Sequence, residues 1–185
     1  GRMVSIKNFR LFVEIAANIL VSSAGSHVKF FIIGDGEEKE KVQHDLDKRH
    51  IKWCTPETFF NEARVIFTSW ISSVSSVLSE LDIVILTSRN EGTPLSLIEA
   101  QVCGKPVIAT DAGGVQDTFI NNETGFLIPQ NDAKAFADKL SLLIGNKTLR
   151  ESMGEKAAVF AAEKFSKNAE VRQLKQLYNN CKSNG

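Results

Sequence analysis

At 185 residues the chain has the length of one domain with at most a small appendage, so a second full domain does not fit. Apolar residues at 43%, charged residues at 24%, 12 glycines and 4 prolines are ordinary globular composition and exclude disordered, collagen-like and low-complexity classes. Lys plus Arg (22) balances Asp plus Glu (22), so no long-range positive field drives binding to nucleic acid or an anionic membrane, and any anion must be met by a local site.

In chain order, Phe9, Phe12, Ile15, Ala16 and Ile19 recur at spacings of three and four and predict an amphipathic helix over 9–22. The run 28–34 (VKFFIIG) is short, β-branched and aromatic, apolar on both faces and closed by glycine, as in a strand buried between layers. A charged helix over 37–49 follows, then an irregular loop over 52–62 that returns to a strand near 65–68. A helix over 72–80, strand 83–86, helix 95–103 and strand 106–110 come next. A short helix near 115–120, a strand at 125–128 and helices near 132–144, 148–163 and 166–180 complete the pattern. Strands apolar on both faces and alternating with helices place the chain in the α/β class with a doubly wound parallel sheet. Ligands of such sheets bind outside the carboxyl ends of the strands.

Cys54, Cys103 and Cys181 are odd in number and far apart, which fits reduced thiols in a cytoplasmic protein better than a disulfide framework. His27, His44 and His50 lack metal-pair spacing and fit solvated or loop positions, so no metal site is expected. The longest apolar run is the six residues 157–162, far below the roughly 20 needed to cross a bilayer, and the first ten residues hold no signal-peptide apolar region.

The richest chemistry lies in 87–107, TSRNEGTPLSLIEAQVCGKPV. Thr93 suits an N-cap and Pro94 the first helical position, leaving the amides of Leu95 and Ser96 free to meet an anion. At about 100° per residue Ser96, Glu99, Ala100 and Cys103 form one narrow stripe, while Leu95, Leu97, Ile98 and Val102 spread over the remainder, so the helix is expected to be mostly buried. A carboxylate on that stripe needs hydrogen-bond donors, which a ligand diol could supply; Glu99 taken alone also fits a helix carboxylate favoured by the dipole or paired to a base. Glu91, beside the flexible Gly92, taken alone fits a solvated loop carboxylate. Together the two acids bracket an anion-binding helix terminus, the shape of a diphosphate flanked by two sugars.

The ordered set Glu91-x7-Glu99, Gly104-Lys-Pro-Val107, Gly113-Gly114 and Glu123-Thr-Gly125, with Gly1-Arg2-x4-Lys7 and Gly34-Asp35-Gly36 ahead of it, resembles the carboxy-terminal, donor-binding domain of GT-B fold retaining glycosyltransferases of family 4. The likeness covers essentially the whole chain. It implies that Arg2 and Lys7 contact the donor diphosphate, Glu91 the transferred sugar's hydroxyls and Glu99 the nucleotide ribose. It further implies that the amides around Leu95 and Ser96 meet the phosphates, and that Gly34, Gly36, Gly92, Thr93, Gly113 and Gly114 border the cleft. Arg64 and Val65 would lie beside the base. The implied reaction is retaining transfer from a nucleotide-sugar, UDP-linked or similar, to a glycan or lipid-linked acceptor, without a metal or other cofactor. The acceptor-binding amino-terminal domain and the strand leading into Gly1 would lie outside this sequence, and the full-length protein would be cytoplasmic with peripheral membrane association. An isolated domain is expected to bind nucleotide weakly and to turn over little. Thr93-Pro94 departs from the Phe-Gly common in that family, and proline removes one amide donor. Two other readings remain open on sequence: an epimerase acting on sugar nucleotides, and a regulatory domain that binds none.

Overall fold

A computed structural model describes residues 1–169, Val171 and Lys175. The predicted alternation is present. Helices α1 (Phe9–Val21), α2 (Lys39–Lys48), α3 (Val74–Glu80), α4 (Leu95–Val102), α5 (Ala133–Gly145) and α6 (Lys147–Phe165) alternate with strands β1 (Phe30–Ile33), β2 (Trp53–Cys54), β3 (Val65–Ser69), β4 (Val84–Leu86), β5 (Val107–Thr110) and β6 (Gly125–Ile128). The loop expected over 52–62 contains β2 and a 3₁₀ turn at Pro56–Thr58, and two residues are too few for a period to register in the sequence. The short helix expected near 115–120 is a 3₁₀ turn at Gly113–Asp117. The helix expected from 166 lies largely outside the described residues.

All pairings between strands are parallel, and they form two three-stranded sheets ordered β1-β3-β2 and β4-β5-β6. Parallel strands need covering on both faces, and β5 shows it: Ile108 joins the core built by α1 and α5, while Val107 and Ala109 join the one beneath α3 and α4. All four β5 residues are buried.

The first eight residues tie the carboxyl ends of the two sheets together. Met3 donates its amide to Asp35 O after β1 at 2.8 Å, and Arg89 after β4 donates to Ile6 O at 2.8 Å. Thr87 Oγ1 donates to Lys7 O at 2.9 Å. Gly34 and Gly36 make this crossing possible. Both have positive φ, and a Cβ on them would stand 1.8 Å from Gly1 O and 2.6 Å from Met3 O.

Candidate donor cleft

A cavity of about 1180 Å³ opens at the carboxyl ends, lined there by Arg2, Lys7, Gly34, Trp70, Glu91, Thr93, Leu95, Ser96 and Glu99. The structure thus brings together both carboxylates, both cations and the mouth of α4.

Pro94, not Thr93, is the N-cap of α4, and no side chain caps the helix. The Leu97 amide is engaged on Pro94 O at 3.0 Å, which leaves Leu95 and Ser96 as free first-turn donors at the positive end of the helix dipole. The expectation of a mostly buried α4 is corrected. Leu97, Ala100 and Gln101 turn inward, and Gln101 Nε2 donates to Leu97 O at 3.1 Å and Thr118 O at 2.7 Å. Leu95 (67% exposed), Ser96, Glu99 and Val102 therefore share the open face, and Glu99 is an exposed carboxylate at the cavity wall instead of a buried one.

Glu91 is the enclosed acid, its side chain 13% exposed. Its Oε1 accepts from Lys7 Nζ and from Ser88 Oγ, each at 2.6 Å. Oε2 has no partner among the described residues. Lys7 is delivered by the 3₁₀ turn Ser5–Lys7, which the left-handed Asn8 (φ 53°) closes before α1. Arg2 reaches outward, 70% exposed and 3.6 Å from Glu37 Oε2.

Gly113 and Gly114 stand behind the cleft, not on it. The Gly114 amide donates to Glu91 O at 2.9 Å, and a Cβ at Gly113 or Gly114 would lie 2.2 Å from Glu91 O or 1.9 Å from Gly92 O. They let the loop after β5 back the loop after β4. Gly36 similarly supports the Gly1–Met3 crossing, and Gly92 is exposed with open space around it.

Arg64 and Val65 are not at the cleft. Val65 begins β3 and Arg64 precedes it, at the opposite end of the sheet; Arg64 donates to the carbonyls of Val28 and Gly25, and Val65 is fully buried in the core. The carboxyl end of β3 instead presents Trp70, 65% exposed yet lining the cavity. Just before it, Ser69 O accepts from Gly34 N at 3.0 Å, and Ser69 Oγ donates to Asp35 Oδ2 at 2.8 Å. Lys39 Nζ donates to the same oxygen at 2.9 Å, and with Ser69 and the Gly36 amide it lowers the Asp35 carboxyl to about 2. Sequence reasoning missed Trp70, Ser88 and Ser69. An exposed-type tryptophan directly after a strand was the available signal for the first; serine carries none. Among the described residues no three His, Cys, Asp or Glu are grouped to hold a metal ion, and no helix is long and apolar enough to cross a membrane.

Residues 1–160 match the family model for glycosyl transferases group 1. The poly(ribitol-phosphate) alpha-N-acetylglucosaminyltransferase of Staphylococcus aureus (strain COL) is 30% identical over 180 residues, covering 97% of this chain and 34% of the relative. The capsular polysaccharide biosynthesis glycosyltransferase CapM of Staphylococcus aureus is 30% identical over 179 residues, covering 97% and 44%. A crystal structure of a TarM mutant of S. aureus in complex with fondaparinux, alpha-GlcNAc-glycerol and UDP superposes with a TM-score of 0.82 at 28% identity, over 97% of this chain and 34% of that one. The C-terminal domain of the group 1 protein LpcC from Francisella tularensis shares the fold, with a TM-score of 0.75 over 90% of this chain and 84% of that one. The chain spans between about a third and a half of the length of the curated relatives it matches.

Proposed function

Because the chain belongs to the glycosyl transferases group 1, with the α/β architecture of GT-B glycosyltransferases, we propose that it is the donor-binding half of an enzyme that transfers a sugar from a nucleoside diphosphate, UDP-linked, to a glycan or lipid-linked hydroxyl. We assign it to the retaining family 4 reading. In the reaction the bond from the anomeric carbon to the diphosphate oxygen breaks, a bond to the acceptor oxygen forms, and the acceptor proton is lost.

The observation that carries this reading is the uncapped α4 terminus between two carboxylates, with Lys7 at hand, in one cavity. The free Leu95 and Ser96 amides suit the phosphates. Negative charge grows on the leaving diphosphate, and Lys7 and Arg2 would offset it, so the chain's own cations and amides take the part a resident metal plays elsewhere. Lys7 is engaged with Glu91 in the open cleft; Ser88 would keep Glu91 oriented as Lys7 turns toward phosphate, leaving Oε2 to accept from a sugar hydroxyl. Glu99, exposed at the wall, would take the ribose diol, and Trp70 offers a flat face to the base. The UDP found with the TarM structure supports the choice of nucleotide. The free cysteines Cys54 and Cys103 favour a cytoplasmic setting. Transfer requires an acceptor-binding domain to close over the cleft and exclude water, so this chain alone should turn over little.

Calorimetric titration with UDP tests the reading. Saturable binding that weakens about tenfold, ~1.4 kcal/mol, in Glu99→Ala is expected. No binding by the folded native chain would overturn it, and unchanged affinity in the variant would remove Glu99 from the ribose.

A further inference from the structure

Strand β3 ends on a residue in an uncommon conformation. Ser69 has a φ of 58°, in the left-handed region that residues with a Cβ disfavour and glycine enters freely. This step takes the chain off its ladder. The register with β1 shifts after Ile32, so that Ile33 and then Gly34 both lie against Ser69. Residue 70 therefore leaves the sheet at the cleft, where Trp70 lines the cavity.

Three bonds hold Ser69 at this angle. Its carbonyl accepts from the Gly34 amide at 3.0 Å and from Thr68 Oγ1 at 3.1 Å, and its hydroxyl donates to Asp35 Oδ2 at 2.8 Å. Asp35 is fixed in turn, by Lys39 Nζ of α2 on the same oxygen at 2.9 Å and by the Gly36 amide on Oδ1 at 2.8 Å. A glycine at position 69 would make the same turn without conformational cost, so the turn alone does not call for serine. What the hydroxyl adds is a tether between the loop after β1 and the residue that carries the chain into Trp70. Trp70 is 65% exposed and has little packing of its own, and a side chain that must be ordered on binding reduces affinity. Anchoring the backbone beneath it removes part of that cost in advance. A left-handed residue held by its surroundings beside a cleft is the form such pre-organisation takes.

We propose that Ser69 and Asp35 are positioning residues that set Trp70 against the planar base of the nucleotide, so that preference for a nucleoside diphosphate over a bare diphosphate resides in this loop. The proposal rests on the donor reading of the cleft. It divides the site in two: the mouth of α4 and Lys7 meet the diphosphate, and the chain of contacts from Asp35 through Ser69 to Trp70 serves the base.

The test measures UDP and inorganic pyrophosphate binding by calorimetry in the native chain, in Ser69→Gly, in Trp70→Ala and in the double variant. Ser69→Gly should bind UDP about tenfold more weakly, the scale of one lost base-stacking contact, with pyrophosphate affinity unchanged. In the Trp70→Ala background Ser69→Gly should cost nothing further. The chain holds two tryptophans, so fluorine NMR of fluorotryptophan-labelled protein gives a reporter, Trp70, and a control, Trp53. In Ser69→Gly without ligand the Trp70 signal should move toward that of free fluorotryptophan while the Trp53 signal stays. Equal weakening of UDP and pyrophosphate, undiminished UDP affinity, a further loss in the double variant or an unmoved Trp70 signal would each overturn the proposal. Failure of the native chain to bind either ligand would overturn the donor reading, and the proposal for the base with it, whatever the fluorine signal does. If Ser69→Gly does not fold, Asp35→Ala is held to the same outcomes.

Discussion

Lys7 and Glu91 stand 2.6 Å apart with side chains 27% and 13% exposed, so neither charge is well solvated when the other is removed. Lys7→Met should destabilise the fold by about 1–2 kcal/mol in urea unfolding, because Glu91 retains only Ser88. The double variant Lys7→Met with Glu91→Gln should recover most of that stability without recovering UDP affinity. Recovery of both would mean that the pair is structural only. Asp35 makes a separate prediction. Its carboxyl titrates at about 2 in the folded protein, held down first by Lys39 and then by Ser69 and the Gly36 amide, against an ordinary value of ~3.9. A depressed acid contributes stability that is complete above the ordinary value and is lost as pH falls through the folded one, so the contribution disappears between about pH 4 and pH 2. Urea midpoints measured over that range should fall less steeply in Asp35→Asn. Identical slopes would contradict the Lys39–Asp35–Ser69 cluster.

Elements were legible where their signals were local. The spacing of Phe9, Phe12, Ile15 and Ile19 placed α1 nearly to the residue, and Val107–Thr110, apolar on both faces, announced a covered central strand. The face that α4 buries was not legible, because its apolar residues lie nearly all round and the choice falls to Gln101, whose amide finds the buried carbonyl of Thr118. Nor did glycine reveal its duty. Gly113 and Gly114 mark a cleft border in sequence, yet in three dimensions they let one loop rest on the backbone of Glu91 and Gly92, a contact decided by tertiary approach. Gly114→Ala should therefore cost about 1–3 kcal/mol in thermal or urea unfolding and also weaken UDP binding by displacing Glu91. Gly145→Ala, at the end of α5 with open space around its Cβ position, should be neutral or stabilising by about 0.4–1 kcal/mol. Equal costs at the two positions would refute the packing role of the pair.

For the molecule as a whole, the alternation of strands and helices indicated the doubly wound class, and the ordered motifs from Arg2 to Glu123 indicated a GT-B glycosyltransferase, of which membership of the glycosyl transferases group 1 is shown. Which end of each strand a residue occupies was harder to read. Arg64 and Val65 fall at the amino end of β3, a strand of five residues in which a shift of a few positions separates core from cleft, and Trp70 follows the end that opens on the cavity. The separation into two sheets is likewise a property of pairing, which periodicity does not encode. The central claim is that a nucleoside diphosphate sits on the mouth of α4, and amide chemical shifts followed during a UDP titration test it most directly. Leu95 and Ser96 should shift most, Gly34 and the Trp70 indole should follow, and Arg64 and Val65 should stay still. Shifts centred on Arg64 and Val65, with Leu95 and Ser96 unmoved at saturation, would contradict it.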